Sequence, residues 1–389
     1  MATVQSAVSE RPRRPSLRLF RLFGIQFTAN WSWILLLALL VFVAYDTTFR
    51  MLRPPLPQAA LWSLAVFAAL LSIASLYAHE LAHALVARHF GIPVRTISLF
   101  LLGGMAHITR ESPSPRAEFL IAVAGPTVSL LVGVIAAGFG WLLRDTAPPV
   151  AAMGLWLATM NIPLAVFNLV PAYPLDGGRV LRAVLWFAGD DLKWGSTIAA
   201  RVGQVAAIGL LFAGVWILFD GSGGALSGLW LIMIAWFMYA GAASSQHASA
   251  FHEALRRLTV ASVMDRDFGR VQSSVSVQSF AEQHLLESAR PGFSRSYAVY
   301  RDEFLVGLLS LRQIGSIPVS SWSSTTIERA TLPIESAPSM EPSAPALGAL
   351  HLILEEGCEQ IAIMAEGRLL GLVNRDQLVR VSAADRARL

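Results

Sequence analysis

The chain of 389 residues is 54% hydrophobic and only 14% charged, with a formal net charge of +4. Soluble domains carry about 25% charged residues, so the composition excludes an ordinary soluble protein and points to a bilayer as solvent. The positive excess sits in arginines beside apolar runs, where it suits anionic lipid and implies no nucleic acid, and a single cysteine, Cys358, excludes an internal disulfide.

Residues 1–24 form a basic N-terminal segment. Six apolar runs follow, at about 25–45, 60–88, 118–143, 150–170, 202–219 and 225–243, near the roughly 20 residues that cross a bilayer as a helix. They predict a polytopic α-helical membrane domain over 25–245 with six transmembrane helices. The first run is longer than a signal-peptide core and lacks a small-residue cleavage site. Loop charges alternate along the chain. Arg11, Arg13, Arg14, Arg18, Arg21, Arg88, Arg95, Arg110, Arg116, Arg179, Arg182, Lys193 and Arg201 flank one side, against Arg50, Arg53 and Arg144 on the other. The positive-inside rule places the first set, and both termini, in the cytoplasm of a multi-pass cell-membrane protein.

The second run ends in "SLYAHELAHALVARHF" (75–90). Ionisable groups inside a bilayer are costly and mark functional sites. At 1.5 Å per residue from Ala60, His79 lies roughly 28 Å along the helix, close to the cytoplasmic face. His79 and His83 are four residues apart and share one helical face, so both imidazoles reach one metal ion. Glu80 projects from the same turn toward a water on that metal, as a general base. Two interfacial histidines beside a paired glutamate are the structural alternative. His89 has the spacing of a third ligand in an extended motif, but that motif needs a glycine where Val86 stands. On a continuous helix His89 lies roughly 15 Å from His79, out of reach.

"VRTISLFLLGGMAHITR" (94–110) places β-branched residues on either side of Gly103 and Gly104, predicting a small membrane-associated β-hairpin. Its exposed edge can pair with an extended substrate, which makes Gly103 and Gly104 candidate substrate-binding positions. His107 there reads as structural. In "MNIPLAVFNLVPAYPLDGGRVLR" (160–182), Pro171 and Pro174 break the fourth helix on the same side as His79. Asp176 follows, beside Gly177 and Gly178, and can face the histidines as a third ligand; the alternative is an aspartate that starts a turn. Asn161 and Asn168 lie two helical turns apart on one face.

After residue 245 charges return and apolar runs shorten. "SYAVYRDEFLVGLLSLRQI" (296–314) aligns with "QIAIMAEGRLLGLVNRDQL" (360–378) at an offset of 64 residues, matching Ala298 with Ala362 and Gly307 with Gly371. Each copy reads as strand, turn, strand and helix start, predicting cytoplasmic α/β modules over 258–317 and 325–385, divided by "IPVSSWSSTT" (317–326). The pair resembles a tandem CBS module, with "VASVMDRDF" (260–268) as its usual entry. That resemblance implies adenine-nucleotide binding and homodimerisation. The family's ribose-holding Asp is replaced by Gln313 and Gln377, however, so a structural or dimerising role stands beside nucleotide binding.

The H-E-x-x-H helix together with "FNLVPAYPLDGGR" (167–179) resembles the site-2 protease family, zinc enzymes that cut substrates within the membrane, one branch of which carries a C-terminal CBS pair. The resemblance implies His79, His83 and Asp176 as ligands of one Zn2+ per chain, Glu80 as catalytic base and Asn168 as substrate-facing; Asn161, on the same face, is a further substrate-binding candidate, and the alternative for either asparagine is a bond to a neighbouring helix. It implies a single-span membrane protein as substrate. Against this stand an inactive metal-binding sensor or scaffold, and a CBS-regulated transporter. The topology is testable by reporter fusion. Fusions at Arg53, Asp145 and Gly223 are expected to read as external and one after Leu389 as internal; an external C-terminus overturns the placement of the site.

Overall fold

The computed structural model describes residues 16–100, 103–108, 112–220, 224–285 and 297–386. The chain divides into two compact units, Arg14–Ser249 and one containing Ala250–Leu389.

In the first unit, β1 (Ser16–Leu22) and β2 (Ile25–Asn30) form an antiparallel hairpin. Phe23 and Gly24 turn it in the left-handed region, with φ of 49° and 76°, which suits a tight hairpin turn. Strand β2 pairs parallel with β3 (Val94–Phe100), which pairs antiparallel with β4 (Gly103–Ile108). The hairpin expected at 94–110 is therefore half of a four-stranded sheet ordered β1-β2-β3-β4. The N-terminal segment 1–24 and the first span, placed from 25, need the same correction. Ile25, Phe27 and Ala29 alternate with Gln26, Thr28 and Asn30, a period of two that turns the apolar set inward as a strand. Phe27 stacks on Phe20 at 4.6 Å and meets the edge of Tyr77 at 5.2 Å, while the Tyr77 hydroxyl donates to the Thr28 carbonyl at 3.1 Å. The sheet is thus pinned two residues from His79.

Among the described residues seven α-helices follow: α1 (Trp33–Thr47), α2 (Gln58–His89), α3 (Pro115–Leu142), α4 (Pro148–Asn168), α5 (Asp176–Gly189), α6 (Leu192–Asp220) and α7 (Ala225–Arg257). All but α5 are long and apolar enough to cross a membrane, α1 with the 3-10 turn through Met51. At 14 residues, α5 extends only about 21 Å. Small residues let the helices touch along their backbones, as membrane helices do where lipid gives no hydrophobic drive. A Cβ on Gly154 would lie 2.6 Å from the Ala136 carbonyl oxygen, so α3 and α4 meet there without side chains between them. Trp156 on α4 donates its indole N–H to Ser72 on α2 at 3.0 Å.

Helix α4 ends at Asn168, before Pro171 and Pro174, and the chain doubles back into α5. A Cβ on Gly177 would sit 2.2 Å from the Val170 carbonyl oxygen, and one on Gly178 would sit 2.5 Å from the Tyr173 nitrogen. Only glycine fits this reversal.

The tail unit bears out the repeat in detail. Strands β5 (Tyr297–Arg301) and β6 (Phe304–Leu309) pair as β7 (Gln360–Ala365) and β8 (Arg368–Asn374) do. Val299 faces Gly307 and Ile363 faces Gly371, each followed by a shift of register. The expected module limits, 258–317 and 325–385, differ from the packing. Val260 and Val263 lie in the core of the second copy with Ala346 and Ile361, and the Asp265 N–H donates to the Leu372 carbonyl. Ile327 and Trp322 fill the core of the first copy with Phe280 and Tyr297. The serine-rich 317–326 stretch is thus no linker: its tryptophan is buried, and its polar residues turn the chain over that core.

Candidate metal centre

The site grows from one helical turn of α2. His79 and His83 are buried, and their Nε2 atoms lie 3.2 Å apart. Asp176, the first residue of α5, brings Oδ2 to 3.2 Å from each of them. Three donor atoms thus form a nearly equilateral triangle. A zinc ion bound tetrahedrally at about 2.0 Å needs its ligands about 3.3 Å apart, so the triangle is one face of the required tetrahedron. Two imidazoles and one carboxylate are also a donor set that zinc takes, and the fit is good.

Other groups orient these donors. With Nδ1 protonated, His79 donates to Ser129 Oγ at 2.9 Å and His83 to the Ile121 carbonyl at 2.6 Å, which turns both Nε2 lone pairs toward the centre. Gly125 of α3 backs the triangle: a Cβ there would lie 2.2 Å from His83 Nε2 and 2.6 Å from His79 Nε2. Burial pushes the Asp176 carboxyl up, but the His79 and His83 imidazoles outweigh it and hold the carboxyl below the ordinary carboxylate range. It stands ready as an anionic ligand. Beneath it, Glu118 of α3 is fully buried and pairs with Arg179 Nε at 3.0 Å and with Arg182; Ser112 donates to its other oxygen. Burial would lower the Arg179 pKa, yet the Glu118 charge overcomes it and keeps the guanidinium protonated.

Each residue singled out by sequence can now be located. The structure brings His79, His83 and Asp176 together, and among the described residues they form a three-residue group that could hold a metal ion. Glu80 is half-buried on the same turn of α2, and its charge acts on His83. Helix α2 continues unbroken past Val86, leaving His89 exposed at its last residue. Asn161 is buried, donates to its own helix at the Leu157 carbonyl (2.9 Å) and leaves Oδ1 without a partner. Asn168 is the half-buried last residue of α4. Gly103 and Gly104 open β4, an edge strand packed against α2. The His107 side chain lies outside the described residues. Sequence reasoning passed over Gly125, Ser129 and Glu118. The signals were present: Glu118 is the one acidic residue in the third apolar run, and Gly125-Pro126 interrupts the middle of a long helix.

Known proteins resemble this chain along its length. The model of peptidase family M50 matches residues 66–146 and 146–211. Rip3 of Mycobacterium tuberculosis, assigned as a zinc metalloprotease, is 31% identical over 371 residues, covering 95% of this chain and 93% of its own. The solved site-2 protease from Methanocaldococcus jannaschii is 27% identical, with a TM-score of 0.43, covering 60% of this chain and 95% of that one. The CBS domain of a bacterial CNNM/CorC family Mg2+ transporter matches 35% of this chain and 81% of that one, at 15% identity and a TM-score of 0.29.

The Gly125 contact gives a direct test. Gly125→Ala is expected to leave helicity intact while zinc content after dialysis falls at least about tenfold, because a methyl enters the space of both Nε2 atoms. Zinc retained at the wild-type level would show that α3 does not back the centre.

Proposed function

The chain belongs to peptidase family M50 and is a multi-pass membrane zinc metalloprotease by kinship, and from that premise we propose that it hydrolyses a peptide bond of a membrane-protein substrate near the cytoplasmic face. The observation that carries this reading is the 3.2 Å triangle of His79, His83 and Asp176 with Glu80 on the adjoining turn. Those three residues would hold the metal. When bound there, zinc polarises the scissile carbonyl and lowers the pKa of water. Glu80 accepts the proton of the attacking water and passes it to the leaving amide nitrogen. Ser129 and the Ile121 carbonyl keep the imidazoles in the tautomer that ligation needs.

The substrate must arrive extended, because a helical peptide bond is shielded by its own hydrogen bonds. Among the described residues no strand pairs with the outer edge of β4, and Gly103 and Gly104 at its start let another backbone approach closely. We assign this edge to the substrate, with Asn168 and the unpartnered Asn161 Oδ1 as polar contacts on α4. A single-span protein unwound at one point fits such a site. The tail reads as a regulatory CBS pair that also supports a homodimer. Its nucleotide positions are turned inward to capping: Gln313 Oε1 accepts from the Ser310 N–H at 2.7 Å, Ser310 Oγ accepts from the Gln313 N–H at 3.3 Å, and Asn374 Oδ1 accepts from the Gln377 N–H at 2.9 Å.

Two measurements test these readings. ATP titrated onto the full chain is expected to show no saturable binding tighter than about 1 mM; tight binding overturns the capping reading of the tail. Glu80→Gln separates a protease from a metal-binding sensor. Glutamine keeps the shape but cannot take the proton, so about one zinc per chain is retained while cleavage of a co-reconstituted membrane substrate falls at least roughly a hundredfold. Zinc-loaded wild-type protein whose cleavage is unaffected by this substitution would remove Glu80 from the mechanism.

A further inference from the structure

The groups that meet the centre from α3 lie on one face of that helix. Glu118, Ile121, Gly125 and Ser129 are spaced by three, four and four residues, a stripe along one side. Ser129 orients His79, the Ile121 carbonyl orients His83, and Gly125 leaves room for both Nε2 atoms. The stripe has one remaining member, and the centre has one remaining ligand. Among the described residues, Asp176 meets the two histidines and makes no hydrogen bond of its own to α3. Its helix does: Glu118 takes Arg179 Nε at 3.0 Å and Arg182, while Ser112 occupies the other carboxylate oxygen.

We propose that Glu118 is a positioning residue for the metal centre, fixing Asp176 through Arg179 and Arg182 as Ser129 and Ile121 fix the histidines. Arg179 is three residues after Asp176, on the same face of α5, so a guanidinium held at Glu118 sets both the rotation of α5 and the height of its first turn. The carboxylate also cancels a cation close to the metal. Arg179 acts on Asp176 and on His83 by charge alone, and unneutralised it would oppose a divalent ion between them. Burial of the whole carboxylate within a membrane helix is costly, and its two arginines and serine are what make it tolerable.

The inference rests on the reading of His79, His83 and Asp176 as zinc ligands, and the experiment tells the two apart. Full-length wild type, Glu118→Gln, Glu118→Asp and Arg179→Lys are compared by competitive zinc titration and by the visible absorption of the Co2+-substituted protein. Glu118→Gln is expected to weaken zinc roughly ten- to a hundredfold, the range for groups that orient metal ligands, and to reduce the four-coordinate Co2+ bands. Glu118→Asp restores the carboxylate, which the long arginines can follow, and should recover most of the loss. Arg179→Lys keeps the charge but loses the Nε contact, and should weaken zinc at least about threefold even if the glutamine variant fails to fold. Wild-type affinity and spectrum in Glu118→Gln, an equal loss in Glu118→Asp, or no change in Arg179→Lys each overturns the proposal while leaving the ligand reading intact. A wild-type chain that binds no zinc removes the ligand reading, and this inference with it.

Discussion

A carboxylate oxygen at the start of α5 lies 3.2 Å from two imidazole nitrogens of α2, across a sequence separation of 97 residues from His79. Nearly every unusual feature of the membrane unit serves this meeting. Positions i and i+4 of an unbroken helix bring two imidazoles to one metal, and α2 runs unbroken for 32 residues. Asp176 can reach them only if α4 stops short and the chain turns back, which the prolines after Asn168 and the glycines at 177 and 178 allow. The sheet is tied to the same turn of α2 through the Tyr77–Thr28 hydrogen bond.

The surrounding helices obey one rule of the bilayer interior: a polar group inside must find its partner within the protein. Ser72 accepts from Trp156, Ser129 and a backbone carbonyl take the histidines, and Glu118 takes two arginines and a serine. A single hydrogen bond between neutral groups of neighbouring membrane helices is worth only about 0.6 kcal/mol. Their value is therefore chiefly geometric, in fixing rotation and depth of helices whose apolar contacts would tolerate sliding. Asn161 departs from the rule, with Oδ1 buried and unpartnered among the described residues.

The tail follows different physics. Its two copies are held by small apolar cores, and each copy borrows from distant sequence: Val260 and Val263 join the second core, Trp322 and Ile327 the first. At the two positions where the sequence has glutamine, the helix starts are capped by Gln313, whose Oε1 accepts from the Ser310 N–H, and by Asn374, whose Oδ1 accepts from the Gln377 N–H, so that otherwise orphaned donors are satisfied.

The amino-acid sequence by itself determined the parts of this protein that are local. The lengths of six apolar runs, the i, i+4 pair in "HELAH", the exclusion of His89 by Val86, and the strand-turn-strand repeat at 64 residues all depend on neighbours along one helix or one hairpin. So does the helix break before Asp176. The alternation in "IQFTAN" was equally local and was hidden by its apolar surroundings, which read as the start of a span. Tertiary structure alone decided which polar atoms meet across elements. The bonds of Ser129, Ile121 and Glu118 to the site span 50, 38 and 61 residues of sequence. The partners in such bonds are chosen by how helices rotate and how deep they sit against one another. Periodicity gives the face of each helix, but it carries no information about which faces will oppose.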